Sequence, residues 1–286
     1  MMRKLLISTD CTCDLPNEII EKNRIEQLFF FVYVGNGIFR DRDEITAMNV
    51  FECMREGKKV TSSAPPVEDY VGYFRKLLRK AEEVIHLTIS SGCSQSYSHA
   101  CEALEVMGED GKRIHLIDSL HLSTGLGHLV IKSVEAANAG KSAEEIVEEM
   151  NKLRHRISSS FIAKDAEYLA INGKIAPWQS KLLKRFKLHP ILAMRNGEIT
   201  VKGFIRGNHE KAQIKYVKRE LKEADRIDRE TLFITHAGST ARELENVKAT
   251  VEAVCRFRSM YVTNASATVS SNCGPETVGV LFMTKE

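Results

Sequence analysis

The sequence predicts a two-domain α/β protein, and three observations carry that expectation. At 286 residues the chain is long enough for two domains or one large one. Its first half alternates short apolar runs with amphipathic stretches, the pattern of a parallel sheet covered by helices. Its second half abandons that alternation and reads as an α+β unit. The hydrophobic fraction of 43% and charged fraction of 28% place the chain among packed globular proteins, not disordered ones.

In the first half, Leu5–Thr9, Val84–Ile89 and Ile114–Asp118 are apolar runs that end in polar turns, as buried parallel strands do. Ligands in such sheets sit beyond the carboxyl ends of the strands. Helical spacing marks Pro16–Lys22, Val67–Ala81, Gln95–Met107 and His121–Ala139. One interruption stands out: the long apolar run Ile25–Val34, the turn Gly35-Asn36-Gly37 and Ile38–Arg40 read as a β-hairpin. A helix from about Thr46 to Arg55 and a polar loop, Thr61-Ser62-Ser63-Ala64-Pro65-Pro66, follow it. Ser142 and Glu145 form a capping box that opens a connecting helix to about Arg156.

These assignments divide the chain into an N-terminal α/β domain, 1–157, with a hairpin insertion at about 25–60, and a C-terminal α+β domain, 158–286. The second contains a strand near Ser160–Ala163 and helices at Glu167–Asn172 and Pro177–Arg185. A hairpin follows, its strands Pro190–Met194 and Ile199–Ile205 joined by Asn196-Gly197, a strong turn signal. A mixed-charge helix covers Glu210–Ala224, then come strand Thr231–Thr235 and a helix from about Thr240 to Ala253. Strands near Met260–Thr263, Thr268–Ser271 and Gly279–Met283 close the chain.

A formal charge of +3 without a Lys/Arg block gives no reason to expect nucleic acid. The apolar run after Met1 is too short for a signal peptide or a spanning helix, so no membrane insertion is expected. Seven cysteines without paired CxxC spacing suit a reducing cytosol, and a cytoplasmic location is expected. Neither a metal nor a cofactor is expected: histidines 86, 99, 115, 121, 128, 155, 189 and 209 show no metal-ligand spacing on one face. His236, at a strand end, is better placed for function.

Three motif fragments fail on context. Gly140-Lys141-Ser142 copies the end of a phosphate-binding loop, but the upstream glycine position is Glu135 and a helix precedes it. Gly125-Leu126-Gly127 lies inside a predicted helix, where close backbone packing explains two glycines. Gly92-Cys93-Ser94-Gln95-Ser96 approaches the hydrolase elbow but carries serine where the last glycine belongs.

What remains is a set of polar clusters at strand ends and loops: Thr61-Ser62-Ser63, Ser90-Ser91-Gly92-Cys93-Ser94, Asp118-Ser119 with Ser123, and Ser270-Ser271-Asn272-Cys273-Gly274-Pro275. They are rich in hydroxyls and amides and poor in acids and bases. Each alone reads as caps and turns; together they suggest a neutral cradle for one carboxylate or phosphate. A lipid fits the energetics. Burying each methylene gains roughly 0.8 kcal/mol, so a long chain gains roughly ten in gross terms. The charged head costs several kcal/mol unless donors surround it. A serine esterase or a small-molecule kinase-like enzyme is the alternative on the same scaffold. A third reading is an interaction module docking through helix Glu210–Ala224.

In this order the clusters resemble the DegV family over essentially the whole chain. Asp10-Cys11-Thr12-Cys13-Asp14-Leu15-Pro16 is similar to its opening D-S-T-x-D-L-P. Thr61-Ser62-Ser63-Ala64-Pro65 resembles T-S-Q-P-S, and Ile89–Tyr97 resembles I-S-S-G-L-S-G-T-Y. Ile117-Asp118-Ser119 with Ser123, Gly125 and Gly127 resembles D-S-x-x-x-S-x-G-x-G. The resemblance implies two α/β domains with one long-chain fatty acid between them and no catalytic residue. It implies carboxylate contacts from Thr61, Ser62 and Ser91, with Asn272 where the family's late H-x-G-P-G places histidine. Ser94, Ser119, Ser123, Arg206 and His236 are further candidates. It also implies a partner, a fatty-acid kinase that converts the bound carboxylate to an acyl phosphate for phospholipid synthesis. Two more departures are visible: Asn172-Gly173-Lys174-Ile175 stands for G-G-R-I, and Arg206 with Lys211-Ala212 only loosely matches R-x-x-K-K-A.

Overall fold

The computed structural model describes residues 3–164, 166–171 and 175–285. The chain opens on β1 (Arg3–Asp10), a 3-10 turn at Cys11–Cys13 and α1 (Asn17–Asn23). The apolar run that follows is not one strand. It splits into β2 (Glu26–Leu28), which pairs in parallel with β1, and β3 (Phe31–Val34), which turns back into β4 (Gly37–Arg40). The break falls at Phe30, whose N–H donates to the Cys11 sulfur while its carbonyl accepts from Asp41.

After α2 (Ala47–Arg55) comes β5 (Val60–Ser63), then α3 (Val67–Leu78), β6 (Ala81–Thr88), α4 (Ser96–Met107), β7 (Ile114–Asp118), α5 (Thr124–Asn138) and α6 (Ala143–Leu153). The expected loop at Thr61–Pro66 thus begins as a strand, because β3 offers Val60–Ser63 an antiparallel partner. The capping box that opens α6 is present: the Ser142 hydroxyl accepts from Glu145 N–H, and the Glu145 carboxylate accepts from Ser142 N–H.

The rest of the chain gives β8 (Ile157–Ile162), α7 (Glu167–Ile171), α8 (Pro177–Arg185), β9 (Leu188–Arg195), β10 (Glu198–Arg206), α9 (His209–Glu220), β11 (Ile227–Ala237), α10 (Ala241–Val254), β12 (Ser259–Asn264), α11 (Ala267–Cys273) and β13 (Thr277–Thr284). The first three residues of the Asn172–Ile175 turn lie outside the described residues.

Thr268–Ser271, with its β-branched residues, is helical rather than extended. The Ser266 hydroxyl accepts from Val269 N–H, and the carboxylate of buried Asp41 accepts from the N–H groups of Ala267 and Thr268. Satisfying three of the otherwise unpaired first-turn donors outweighs a weak strand preference.

Three sheets result. A four-stranded sheet, β2-β1-β6-β7, is parallel throughout, and a three-stranded antiparallel sheet runs β4-β3-β5. The six-stranded sheet β10-β9-β8-β13-β11-β12 is antiparallel except for the parallel β11–β12 pair. The expected division near residue 157 falls between α6 and β8, yet one core cluster draws from both sides of it. In that cluster Leu126, Leu129 and Val130 of α5 pack with Ile7, Ile85 and Ile117 of the parallel sheet and with Phe233, Leu281 and Met283 of the mixed sheet.

Both faces of α5 are therefore buried, as an apolar helix of this kind requires. Its two glycines mark the closest approaches. A Cβ at Gly125 would lie 2.2 Å from the Ser159 hydroxyl, and one at Gly127 would lie 2.9 Å from the Cys13 carbonyl oxygen.

Candidate ligand-binding site

A cavity of about 510 Å³ lies where the three sheets meet, within the size range of about 300–1,000 Å³ usual for small-molecule pockets. Its buried apolar lining includes Leu192 and Leu281 of the mixed sheet with Phe30, Ile89 and Leu122 from the connections beside the other strands. Its rim is polar and carries the half-buried Ser62, Ser63 and Ser94 with the exposed Gly92 and Asn272. No Asp, Glu, Lys or Arg lines it among the described residues. A charged ligand head would thus meet neutral donors only.

Three segments build the rim, and buried acids hold two of them in place. The first is the end of β5, where Ser63 shares a hydrogen bond of 3.2 Å with the Tyr33 hydroxyl. The second is the turn between β6 and α4, pinned by Asp10 at the carboxyl end of β1. One Asp10 oxygen accepts from Ile89 N–H at 2.9 Å and from the Ser96 hydroxyl at 2.6 Å. Within that turn the N–H groups of Cys93 and Ser94 both donate to the Ser90 carbonyl. The Ser94 hydroxyl accepts from Ser96 N–H at the start of α4.

The third segment is α11. Its first turn is held by Asp41, as above, and Ser266 N–H donates to Asp14 at 2.9 Å. At the far end of this short helix, the Asn272 amide donates to the Thr268 carbonyl at 2.8 Å and reaches the Ser62 hydroxyl at 3.4 Å. Gly274 ends the helix in the left-handed region, φ 83°. Any Cβ there would lie 2.3 Å from the Tyr168 ring, which also lines the cavity, so only glycine fits.

Of the residues singled out from sequence, the structure brings Ser62, Ser94, Ser123, Asn272 and His236 to the cavity. Ser123 sits at the head of α5 with φ 53° and donates its hydroxyl to Asp14 at 2.6 Å. His236 accepts Ser239 N–H at Nδ1, which leaves the proton on Nε2, and burial holds its pKa below the usual histidine value.

Four others lie elsewhere. Thr61 is exposed on β5, opposite Tyr33 in register. Ser91 is exposed, and both its hydroxyl and its N–H donate to Asp118. Ser119 is buried in a turn, its hydroxyl donating to the His121 carbonyl. Arg206 is the exposed last residue of β10 and is absent from the cavity lining. Backbone geometry, not residue type, decides which of these hydroxyls face the cavity.

Sequence reasoning assigned no role to Asp10, Asp14 and Asp41, which organise the rim from behind. Their signal was present: two acids four residues apart after an apolar strand, and one acid directly after a hairpin. Burial pushes the Asp14 carboxyl up to about 7, against the opposing effect of nearby Arg42.

An α/β scaffold of three sheets around an apolar cavity with an uncharged polar rim has the shape and lining of a small-molecule pocket suited to a ligand with an apolar part and one polar end. The chain belongs to the DegV family, whose sequence profile matches residues 4–285. A DegV domain-containing protein of Caldanaerobacter subterraneus is 28% identical over 99% of this chain and its own full length. Among solved structures, a fatty-acid-binding DegV family protein of Thermus thermophilus superposes with a TM-score of 0.88 at 25% identity, covering 99% of this chain and 100% of that one. A DegV lipid-binding protein of Thermotoga maritima shares the fold, with a TM-score of 0.84 at 22% identity and 99% coverage of each chain.

Proposed function

We propose that this chain binds one long-chain fatty acid in the cavity, its tail against the apolar walls and its carboxylate at the rim formed by Ser62, Ser94 and Asn272. The observation that carries this reading is the union of an apolar cavity with a rim lacking acidic and basic side chains among the described residues. Hydroxyl and amide donors stabilise a carboxylate without burying a second charge. The DegV protein of Thermus thermophilus, alike in fold over its whole length, binds fatty acid. In this arrangement Ser91 and Thr61 support the rim from outside the lining, Ser91 by tying the turn after β6 to Asp118.

The reading extends to a carrier role in the cytoplasm. The chain shields the tail and presents the head at the rim, and a partner fatty-acid kinase supplies the phosphate donor and forms the acyl phosphate used in phospholipid synthesis. The exposed position of Gly92 and Asn272 supports presentation of this kind.

An esterase needs a base-activated serine facing its substrate pocket. Ser91, which donates to the Asp118 carboxylate, lies outside the cavity lining, and the Ser8–His86–Asp10 array is fully buried, where no substrate reaches. Native mass spectrometry of gently purified protein tests the proposal: one bound acyl chain is expected. A clean unliganded mass, with no uptake of added palmitate or oleate, defeats it. Conversion of such lipid to acyl phosphate by a purified fatty-acid kinase and ATP tests the carrier role.

A further inference from the structure

We propose that His209, Glu243 and Glu276 form a binding site for one divalent transition-metal ion of the zinc class, separate from the lipid cavity. A ring nitrogen of His209 and one carboxylate oxygen from each glutamate lie within 4.8 Å of one another. The three come from different elements: the first residue of α9, the first turn of α10 and the residue preceding β13. One imidazole and two carboxylates suit zinc or a similar borderline cation better than calcium or magnesium, which take oxygen ligands.

Three observations single this cluster out. First, His209 is already set as a metal ligand is. Its Nε2 lies 3.0 Å from both the Glu276 carbonyl and the Gln213 side-chain amide, and donation to the carbonyl, which can only accept, leaves the lone pair on Nδ1. That Nδ1 is buried and has no hydrogen-bond partner among the described residues. An acceptor stranded away from water is destabilising unless something fills its lone pair.

Second, Glu243 is 5% exposed, and no lysine or arginine pairs with it among the described residues. One of its oxygens is occupied by Thr240 at the head of α10, accepting from both the N–H and the hydroxyl. Its other oxygen has no such duty.

Third, Glu276 occupies the left-handed region at φ 57°, which a non-glycine residue enters at a cost. Its N–H donates to the Ala237 carbonyl at 2.7 Å, holding that conformation. The Lys164 ammonium now pairs with its carboxylate and is half exposed, so a metal ion could displace it into water. A second histidine–carboxylate cluster, Glu83, His115 and Glu144, lacks these features: His115 already bonds Glu83 at 3.0 Å, and Glu144 is exposed.

The test is titration of chelator-treated full-length protein with Co²⁺, read by its visible absorption, and with Zn²⁺, read by calorimetry. One equivalent is expected, with the intense d–d bands of a low-coordinate site. Glu276→Gln and His209→Gln should each weaken binding at least tenfold, and His115→Gln should leave it unchanged. Lys164→Met, which removes the competing cation, should tighten it several-fold; that gain is not expected if the cluster is merely structural. Thermal melts of the metal-free variants report folding independently. No binding by the wild type overturns the proposal, as does binding lost in His115→Gln and kept in the folded Glu276→Gln and His209→Gln variants.

Discussion

The Ser90 hydroxyl donates to the Gly197 carbonyl at 2.6 Å, joining residues 107 apart in the chain. This bond ties the turn after β6, in the parallel sheet, to the hairpin turn between β9 and β10, in the mixed sheet. The backbones are in direct contact there, since a Cβ at Gly92 would lie 2.5 Å from the same carbonyl oxygen. Gly92→Ala should therefore push the two turns apart at the rim. We expect a loss of about 1–3 kcal/mol in urea unfolding, the usual cost of overpacking. An unchanged midpoint would mean that the two turns part without resistance.

Direct contact with the ligand head separates the rim serines from their neighbours. Ser62→Ala and Ser94→Ala should each weaken fatty-acid binding by about 1–3 kcal/mol, roughly the cost of one unmet group. Ser91→Ala should weaken it less, because its hydroxyl already serves Asp118. Displacement of a fluorescent fatty acid from delipidated protein measures all three. A larger effect at Ser91 than at both rim serines would move the head-group position.

Asn272 offers a charge test. Replacing its amide by a carboxylate, Asn272→Asp, places a like charge beside the proposed head group without changing side-chain shape. Affinity for fatty acid should fall at least tenfold at pH 8, where both groups are ionised, whereas a fatty alcohol of equal length should be far less affected. Equal losses for acid and alcohol would show that Asn272 acts only through packing.

Asp41 shapes the site without touching the cavity. Its carboxylate accepts two N–H bonds from the first turn of α11 at 2.8 and 2.9 Å. Asp41→Ala should cost about 1–3 kcal/mol of stability by leaving those buried donors unpaired. It should also weaken lipid binding, because Asn272 sits on the same short helix. Hydrogen exchange at Ala267 and Thr268 should rise in parallel; if it stays slow, another group caps the helix.

Asp14 makes stability depend on pH. Its carboxyl titrates at about 7 in the folded chain and at about 3.9 when unfolded. Between those values the folded state keeps a proton that the unfolded state has released. Stability from this group therefore falls as pH rises through the window, by up to about 1.4 kcal/mol per unit, and is flat on either side. Asp14→Asn should flatten that part of the profile in urea titrations from pH 4 to 7. A profile unchanged by the substitution would assign the slope to another group.

Much of the secondary structure was legible because local signals agreed with the fold. The capping box at Ser142, the Asn196-Gly197 turn and the apolar strands of the parallel sheet each carry their own physical cause. Failures fell where a distant partner decided. Val60–Ser63 became a strand because β3 lies beside it, and Thr268–Ser271 became a helix because Asp41 caps it from 226 residues away. For the candidate site, composition suggested a neutral hydroxyl-rich cradle but not which serines face inward. Ser91 and Ser94 differ by three residues and point to different partners.

Periodicity, turn chemistry and motif order in the chain determined the α/β class, its family and the polar clusters available to a ligand, because these are local properties written in consecutive residues. Which hydroxyls meet at one cavity, which acids stand behind them and where His209 approaches two glutamates were decided only by tertiary packing. The bonds Glu276–His209, Ser62–Asn272 and Asp14–Ser266 join residues 67, 210 and 252 positions apart, and no local pattern encodes the direction in which such side chains finally point.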